Sequence, residues 1–134
     1  MKDDSEGALH HIELWVPDLN RATAEWGWIL STLGYVIYKS WPLGISWQKG
    51  STYIVLEESP GLSGRLHQRT APGLNHLAFI VGSRLRVDAL AKDSAEYGWT
   101  PLFPEKYPHA GGPEHYAAYL ENSDGFEIEL VAAQ

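Results

Sequence analysis

The sequence predicts an α+β fold in which two tandem β-α-β-β-β modules form a curved mixed sheet around a cleft, with the helices on its outer face. Two observations support this prediction. A strand-like segment that begins at His11 leads into a helical segment that ends at Gly34, and the same order recurs from His76 to Gly98. The second histidine follows the first by 65 positions, and the second glycine follows the first by 64. This nearly constant offset indicates an internal duplication.

Length and composition indicate how the two copies are organised. The chain has 134 residues, 44% of them hydrophobic, which is enough for one core and too little for two independent domains of ordinary size. We therefore expect a single domain over residues 1–134, with modules at about 9–58 and 75–132. The segment 59–73 is rich in glycine, proline and serine and has no periodicity, which is typical of a connection. We expect Arg65 and Arg69 in this connection to be solvated, and binding of an anionic group is the alternative.

The elements of the first module follow from local pattern. Apolar side chains at every second position of residues 9–16 predict a half-buried strand, with His11 on the face opposite to the apolar one. Asp18 is a suitable N-cap for the helix that follows, and Gly34 supplies the left-handed residue that ends it. The strands expected after this helix lie at about 35–40, 44–49 and 52–58.

The second module repeats this order. Its first strand is predicted at about 75–82, and Ser83 is a suitable N-cap for a helix that ends at Gly98. Residues 122–125, with the sequence Asn-Ser-Asp-Gly, are typical of a tight turn between the last two strands. The strands expected after the helix lie at about 99–103, 115–121 and 126–132.

Composition also limits the partners and the location of the protein. The formal net charge is −7 and the basic residues are scattered, so the phosphate backbone of a nucleic acid would be repelled. No apolar stretch approaches the roughly twenty residues needed to cross a bilayer, and residues 1–6 lack the apolar core of a secretory signal. The absence of cysteine fits a reducing compartment. We therefore predict a cytoplasmic protein that binds neither nucleic acid nor membrane.

Histidines and carboxylates are expected on the polar faces of three strands. The alternation of the last strand places Glu127 and Glu129 on its polar face, as it places His11 and His76 on the polar faces of theirs. A single histidine on a strand is more often structural, but two at duplicated positions favour a metal. Two neutral imidazoles and one carboxylate form the facial triad that holds a divalent first-row metal and leaves positions open for a substrate. The candidates for a fourth oxygen are at the end of the fourth strand, where Glu57 shares a face with Tyr53 and Val55 and is a better geometric candidate than Glu58.

Three segments of the chain carry a resemblance to a known family. They are His11-Ile12-Glu13-Leu14-Trp15-Val16-Pro17-Asp18-Leu19, Gly73-Leu74-Asn75-His76-Leu77-Ala78-Phe79 and Asp124-Gly125-Phe126-Glu127-Ile128-Glu129-Leu130. The chain resembles, over residues 9–132, the vicinal oxygen chelate superfamily. That group includes glyoxalase I, methylmalonyl-CoA epimerase, extradiol dioxygenases, fosfomycin-resistance enzymes and bleomycin-resistance proteins. The resemblance implies a homodimer and metal ligands at His11, His76 and Glu129.

One family position differs in this chain. Val55 stands where glyoxalase I and the epimerase have a Glu or Gln, so the chain is more similar to the three-ligand members. Glu57, two residues later, compensates only if the strand shifts or bulges. In glyoxalase I chemistry the fourth carboxylate abstracts a proton next to a carbonyl. Val55 therefore argues against glyoxalase I specifically, and Glu57 is the candidate for this catalytic base, acting without being a regular ligand.

Candidate substrate contacts come from strands and from one loop. The second module is longer than the first, and the loop 105–113 accounts for the difference. Such a loop on a rigid scaffold selects substrates in many proteins, and an ordinary solvated connection is an equal alternative. Trp15, His109, His115 and Tyr119 are the residues that we predict to contact substrate, through stacking or hydrogen bonds. For each residue taken alone, an ordinary core or surface role is an equal alternative.

Two functions of different classes follow. The leading hypothesis is a metal-dependent enzyme, either a lyase or isomerase or a dioxygenase, that chelates two adjacent oxygens of a small substrate on a divalent ion. Oxygenation requires iron, whereas zinc, nickel, manganese or cobalt serves the other reactions. The alternative is a metal-free protein that sequesters an aromatic antibiotic or metabolite, as bleomycin-resistance proteins do. The two histidines and Glu129 favour the enzyme, whereas Val55 and the content of six tryptophans and seven tyrosines favour the binding protein.

Overall fold

The computed structural model describes residues 3–133. Met1, Lys2 and Gln134, the ends of the predicted domain 1–134, lie outside the described residues. The chain divides between Gly64 and Arg65 into two compact units, and each unit contains one of the predicted modules. Each unit has one four-stranded mixed sheet and one α-helix, so the predicted α+β class and the tandem β-α-β-β-β modules are confirmed.

The first unit has the predicted order of elements. Its strands β1 and β4 are parallel neighbours, and the sheet order is β1-β4-β3-β2 with antiparallel pairing elsewhere. The elements are β1 (His11–Trp15), α1 (Leu19–Thr32), β2 (Val36–Trp41), β3 (Gly44–Lys49) and β4 (Thr52–Glu57).

The second unit repeats this topology with additional short helices. Strands β5 and β8 are parallel neighbours, and the sheet order is β5-β8-β7-β6. The elements are β5 (Leu77–Gly82), α2 (Arg84–Asp93), a 3₁₀ helix (Ser94–Tyr97), β6 (Thr100–Leu102), a second 3₁₀ helix (Pro104–Lys106), β7 (Ala117–Glu121) and β8 (Glu127–Ala132).

The helix boundaries follow the predicted caps. The side chain of Asp18 accepts a hydrogen bond from the backbone N–H of Arg21 at 3.0 Å, and Ser83 accepts one from Arg86 at 3.1 Å. These bonds satisfy backbone donors that the first turn of a helix leaves unpaired. Gly34 has φ of 93° after α1, so this position requires the left-handed conformation that glycine adopts without a steric penalty.

Both helices bury one stripe against their own sheet. Helix α1 packs on β3 and β4 through side chains that are fully buried, and α2 packs on β7 and β8 through Val87 and Leu90. The fully buried residues of α1 are Ala22, Trp26, Ile29 and Leu30. Because this packing covers one face of each sheet, the polar side chains that alternate with the core residues lie on the other face.

The strand registers make Val55 and Glu129 equivalent positions of the two modules. Val55 pairs with Glu13, two residues after His11, and Glu129 pairs with Ala78, two residues after His76. At this position the second module has a carboxylate and the first has valine.

No helix within residues 3–133 combines the length and the apolar character that a bilayer-crossing segment needs.

Replacing Leu30 with Ala should lower the free energy of unfolding by about 2–5 kcal/mol, because Leu30 is fully buried between α1 and its sheet. Leu85→Ala is the matched control, since Leu85 also lies on a helix but is 79% exposed, and it should change stability by less than about 0.5 kcal/mol. Denaturant titration measures both. Equal losses in the two variants would contradict the packing described.

Candidate functional site

A buried carboxylate lies at the centre of the polar face of the second sheet. Glu129, in the middle of β8, is 5% exposed. One of its oxygens lies 3.0 Å from Nε2 of His76, and the other is hydrogen bonded to Nε2 of His115. The phenol of Tyr119, the residue paired with Glu129 on β7, also hydrogen bonds to this carboxylate. We call His76, His115, Tyr119 and Glu129 the Glu129 cluster.

The orientation of the His76 ring is determined by its neighbour Asn75. The side-chain amide of Asn75 donates a hydrogen bond to the carbonyl of Arg69 at 2.9 Å, so its oxygen faces Nδ1 of His76 at 2.7 Å. An amide oxygen only accepts hydrogen bonds, and Nδ1 must therefore carry the proton. In the neutral ring Nε2 is then the lone-pair nitrogen, and it points at Glu129.

This arrangement places two electron-pair donors 3.0 Å apart. A carboxylate oxygen accepts hydrogen bonds and does not donate them, so it gains nothing from an unprotonated imidazole nitrogen. The contact is favourable only when a proton or another cation lies between the two atoms. A histidine whose Nδ1–H is held by an acceptor, with Nε2 free, is the form in which histidine binds metals.

Arg69 and two further carboxylates form ion pairs next to the Glu129 cluster. Arg69 forms ion pairs with Glu127 at 3.2 Å and with Glu121 at 3.3 Å, so the expectation of a solvated Arg69 was wrong. The reason is that its guanidinium forms ion pairs with two carboxylates on the sheet face and is therefore partly buried.

The surroundings of the cluster also change the pKa values of two of its neighbours and members. Burial raises the pKa of Glu127, and Arg69 and His76 oppose that effect. Burial, with Glu129 adding to it, raises the pKa of Tyr119 to about 12, so this phenol stays neutral at physiological pH.

The loop 105–113 closes against the Glu129 cluster. A Cβ atom at Gly111 would lie 2.5 Å from Cδ2 of His115 and 2.7 Å from the phenol oxygen of Tyr119. Real Cβ contacts do not occur at such distances, so the absence of a side chain at Gly111 lets the loop approach. The other end of the loop is tied to α2, because Tyr107 donates a hydrogen bond to Asp88.

Asp88 joins this loop to the strand that follows it. Its Oδ1 accepts hydrogen bonds from Tyr107 and, at 2.7 Å, from Tyr116. These two bonds hold the pKa of Asp88 below its ordinary value. Because Tyr116 reaches α2, its strand positions alternate as predicted, with Tyr116 toward the helix and Tyr119 toward the Glu129 cluster.

The predicted site residues of the second unit have different surroundings. His76 and Glu129 are brought together, and His115 and Tyr119, predicted as substrate contacts, join them. His109 lies apart from the cluster, with Nδ1 3.2 Å from the carbonyl of His115 and its ring edge-on to Tyr116. Sequence reasoning did not identify the close contact of His115 with Glu129. The available signal was the alternation that places positions 115, 117 and 119 on one face.

The predicted site residues of the first unit surround an aromatic cluster. The ring of His11 stacks on Tyr53 with centroids 4.9 Å apart, and its Nδ1 lies 2.9 Å from Nδ1 of His10. The indole N–H of Trp15 donates a hydrogen bond to Glu13 at 2.7 Å. Glu57 ends β4 opposite Trp15 in the parallel register, on the same face as His11.

Across residues 3–133, no three histidine, aspartate or glutamate side chains are already arranged as the ligands of one metal ion. In the Glu129 cluster the two imidazoles bond to opposite oxygens of one carboxylate, which separates their Nε2 atoms. The assignment of His11, His76 and Glu129 as metal ligands therefore stays a prediction, and so do the substrate contacts and the role of Glu57.

Comparison with known proteins identifies the family of the chain. The chain belongs to the Glyoxalase/Bleomycin resistance protein/Dioxygenase superfamily, whose model matches residues 10–119. The superfamily includes enzymes, and the resemblance found in the sequence is confirmed.

The relatives extend over almost the whole chain. The uncharacterized protein YqjT of Bacillus subtilis (strain 168) is 43% identical over 126 residues, which cover 92% of this chain and 98% of that protein. A crystal structure of a candidate glyoxalase from Bacillus halodurans has a TM-score of 0.90 and 40% identity, covering 96% of this chain and 97% of the other. A glyoxalase/bleomycin resistance protein from Albidiferax ferrireducens T118 shares the fold, with a TM-score of 0.74, 20% identity and coverage of 94% and 98%.

Replacing Gly111 with Ala should lower the free energy of unfolding by about 1–3 kcal/mol, because the new methyl group overlaps His115 and Tyr119. Gly61→Ala is the control, since a Cβ there meets its neighbours at ordinary distances of 3.4 Å or more. Denaturant titration compares the variants. A Gly111→Ala protein as stable as the parent would show that the loop does not pack on the Glu129 cluster.

Proposed function

We propose that the chain is a metal-dependent enzyme that acts on a small, oxygen-rich substrate by chelating two adjacent oxygens on a divalent ion. The observation that carries this proposal is the contact between Nε2 of His76 and the carboxylate of Glu129. Asn75 holds a proton on Nδ1, so in the neutral ring two acceptors face each other at 3.0 Å. A divalent ion between such groups satisfies both of them.

The donor set of the Glu129 cluster fits such an ion. His76 and His115 offer imidazole nitrogens and Glu129 offers a carboxylate, a combination suited to zinc, nickel, manganese, cobalt or iron. The two histidines are about one-third exposed, so a ligand can reach them, whereas Glu129 is buried. Binding of one ion by all three residues requires their side chains to rotate from the positions described, because the two imidazoles bond to opposite oxygens of Glu129. His11 is the further imidazole that the family pattern implies, and its role stays a prediction.

The ion would stabilise negative charge that develops on a substrate oxygen. The residues of the chain perform the other tasks. Asn75 holds the tautomer of His76, and the neutral phenol of Tyr119 donates a hydrogen bond within the cluster. Glu57 is the residue that we propose as the base, and Trp15 and His109 are proposed to contact substrate. We also propose a cytoplasmic homodimer.

A specific observation favours the second candidate, a metal-free binding protein. In the first unit His10, His11, Tyr38 and Tyr53 line a cavity of about 320 Å³, and the carboxylate of the family pattern is replaced by Val55. The His11 ring is stacked on Tyr53, as expected for a surface that receives an aromatic ligand. This arrangement supports sequestration of an aromatic compound without chemistry.

Metal binding distinguishes the two candidates. We expect protein purified without a histidine tag to bind about one zinc or cobalt ion per chain, and His76→Ala to lose that ion. Asn75→Ala should weaken binding about 10–100-fold, because the acceptor that holds Nδ1–H is removed. Isothermal titration and elemental analysis measure these changes.

Asn20→Ala is the matched control, since Asn20 lies exposed on α1, and its metal affinity should equal that of the parent protein. Absence of bound metal in the parent protein, or full binding in His76→Ala, would contradict the enzyme hypothesis and favour the binding protein.

A further inference from the structure

A second cavity of about 320 Å³ opens beside the Glu129 cluster within the second unit. His76 and Tyr119 form part of its lining, so the cavity is continuous with the donors described above. The rest of the lining contains an aromatic ring, two cations, a carboxylate and an amide, which belong to Phe103, Lys106, Arg69, Glu127 and Asn75, together with Ala110. A molecule held by its oxygens near His76 would extend into this space.

Phe103 and Tyr119 form an aromatic wall of the cavity, and the backbone of Phe103 has a strained conformation. Phe103 has φ of 54°, in the left-handed region that a bulky side chain rarely adopts. This conformation places its ring edge-on to Tyr119, with centroids 5.7 Å apart, and leaves the ring 37% exposed. Strain of this kind is found at ligand sites, where the surrounding structure maintains it. The exposed ring faces are suited to a planar apolar group.

The cavity lining also includes an ammonium group that forms no ion pair with the described residues. The other cation of the lining, the guanidinium of Arg69, is ion paired with two carboxylates, Glu121 and Glu127. The ammonium of Lys106 has no ion-pair partner within residues 3–133. A ligand group next to Lys106 is therefore stabilised if it is anionic, even though the protein as a whole carries a net charge of −7.

We propose that the substrate is a small aromatic or conjugated carboxylate with two adjacent oxygens, and that Lys106 selects the carboxylate while Phe103 and Tyr119 hold the planar body. This inference rests on the proposed function for the position of the two oxygens. The selectivity for charge depends on Lys106 alone and is independent of whether metal is bound.

A pair of probes that differ only in charge tests the role of Lys106. The probes are 3,4-dihydroxybenzoate and 3,4-dihydroxybenzamide, and isothermal titration measures both affinities with and without zinc. We expect the parent protein to prefer the carboxylate about two- to fivefold, the range of a partly exposed ion pair. In Lys106→Gln the preference should disappear. In Lys92→Gln, which removes an exposed lysine of α2 outside this cavity, it should remain.

A second variant tests the aromatic wall separately. Phe103→Gly should weaken both probes equally, about two- to tenfold, without changing the preference for the carboxylate. Because glycine adopts positive φ without strain, this variant should still fold.

The outcomes separate this inference from the proposed function. A Lys106-dependent preference that persists with EDTA supports the cavity assignment even if zinc does not bind. Equal affinities in the parent protein, a preference retained in Lys106→Gln, or no binding of either probe would overturn the assignment, whatever the metal measurements show.

Discussion

The hydrogen bond between Asn75 and Nδ1 of His76 constrains the whole candidate site. It fixes which ring nitrogen carries the proton, and the parallel pairing of β5 with β8 then directs the other nitrogen at Glu129. Neither feature would suffice alone. Without Asn75 the ring could present a proton to the carboxylate and the pair would be an ordinary hydrogen bond. With Asn75 in place, the neutral imidazole and the buried carboxylate need a proton or a metal ion between them, and a metal ion is the occupant that we propose.

The two modules show how one scaffold supports different surfaces. The registers of β1 with β4 and of β5 with β8 make Val55 and Glu129 equivalent. Val55 pairs with the residue two positions after His11, and Glu129 pairs with the residue two positions after His76. In the second module the carboxylate gathers imidazoles and a phenol. In the first module valine cannot do so, and His11 stacks on Tyr53 instead. The same strand position therefore holds a carboxylate bonded to imidazoles in one module and a valine beside an aromatic cluster in the other.

Local sequence patterns predict the elements of this fold well, because each element is determined by contacts near in the chain. The caps at Asp18 and Ser83, the alternation in the strands and the turn at 122–125 depend only on neighbouring residues. The strand faces also follow, which is why Tyr119 was placed on the face of Glu129.

The arrangement of the site depends on contacts that the sequence does not encode locally. The pairing of His115 with Glu129 needs the register of β7 on β8, and the approach of Gly111 needs the path of the loop 105–113. The role of Asn75 depends on the direction of one side-chain amide, and the ion pairs of Arg69 join positions more than fifty residues apart in the chain. Patterns of spacing identify candidate ligands, but they do not determine which side chains orient them.

The ¹⁵N NMR spectrum of the His76 imidazole tests the central claim most directly. In neutral solution we expect a proton on Nδ1, and we expect addition of zinc to shift the Nε2 resonance while Nδ1 stays protonated. A ring protonated on Nε2 with a bare Nδ1, or an Nε2 resonance that zinc leaves unchanged, would contradict that claim.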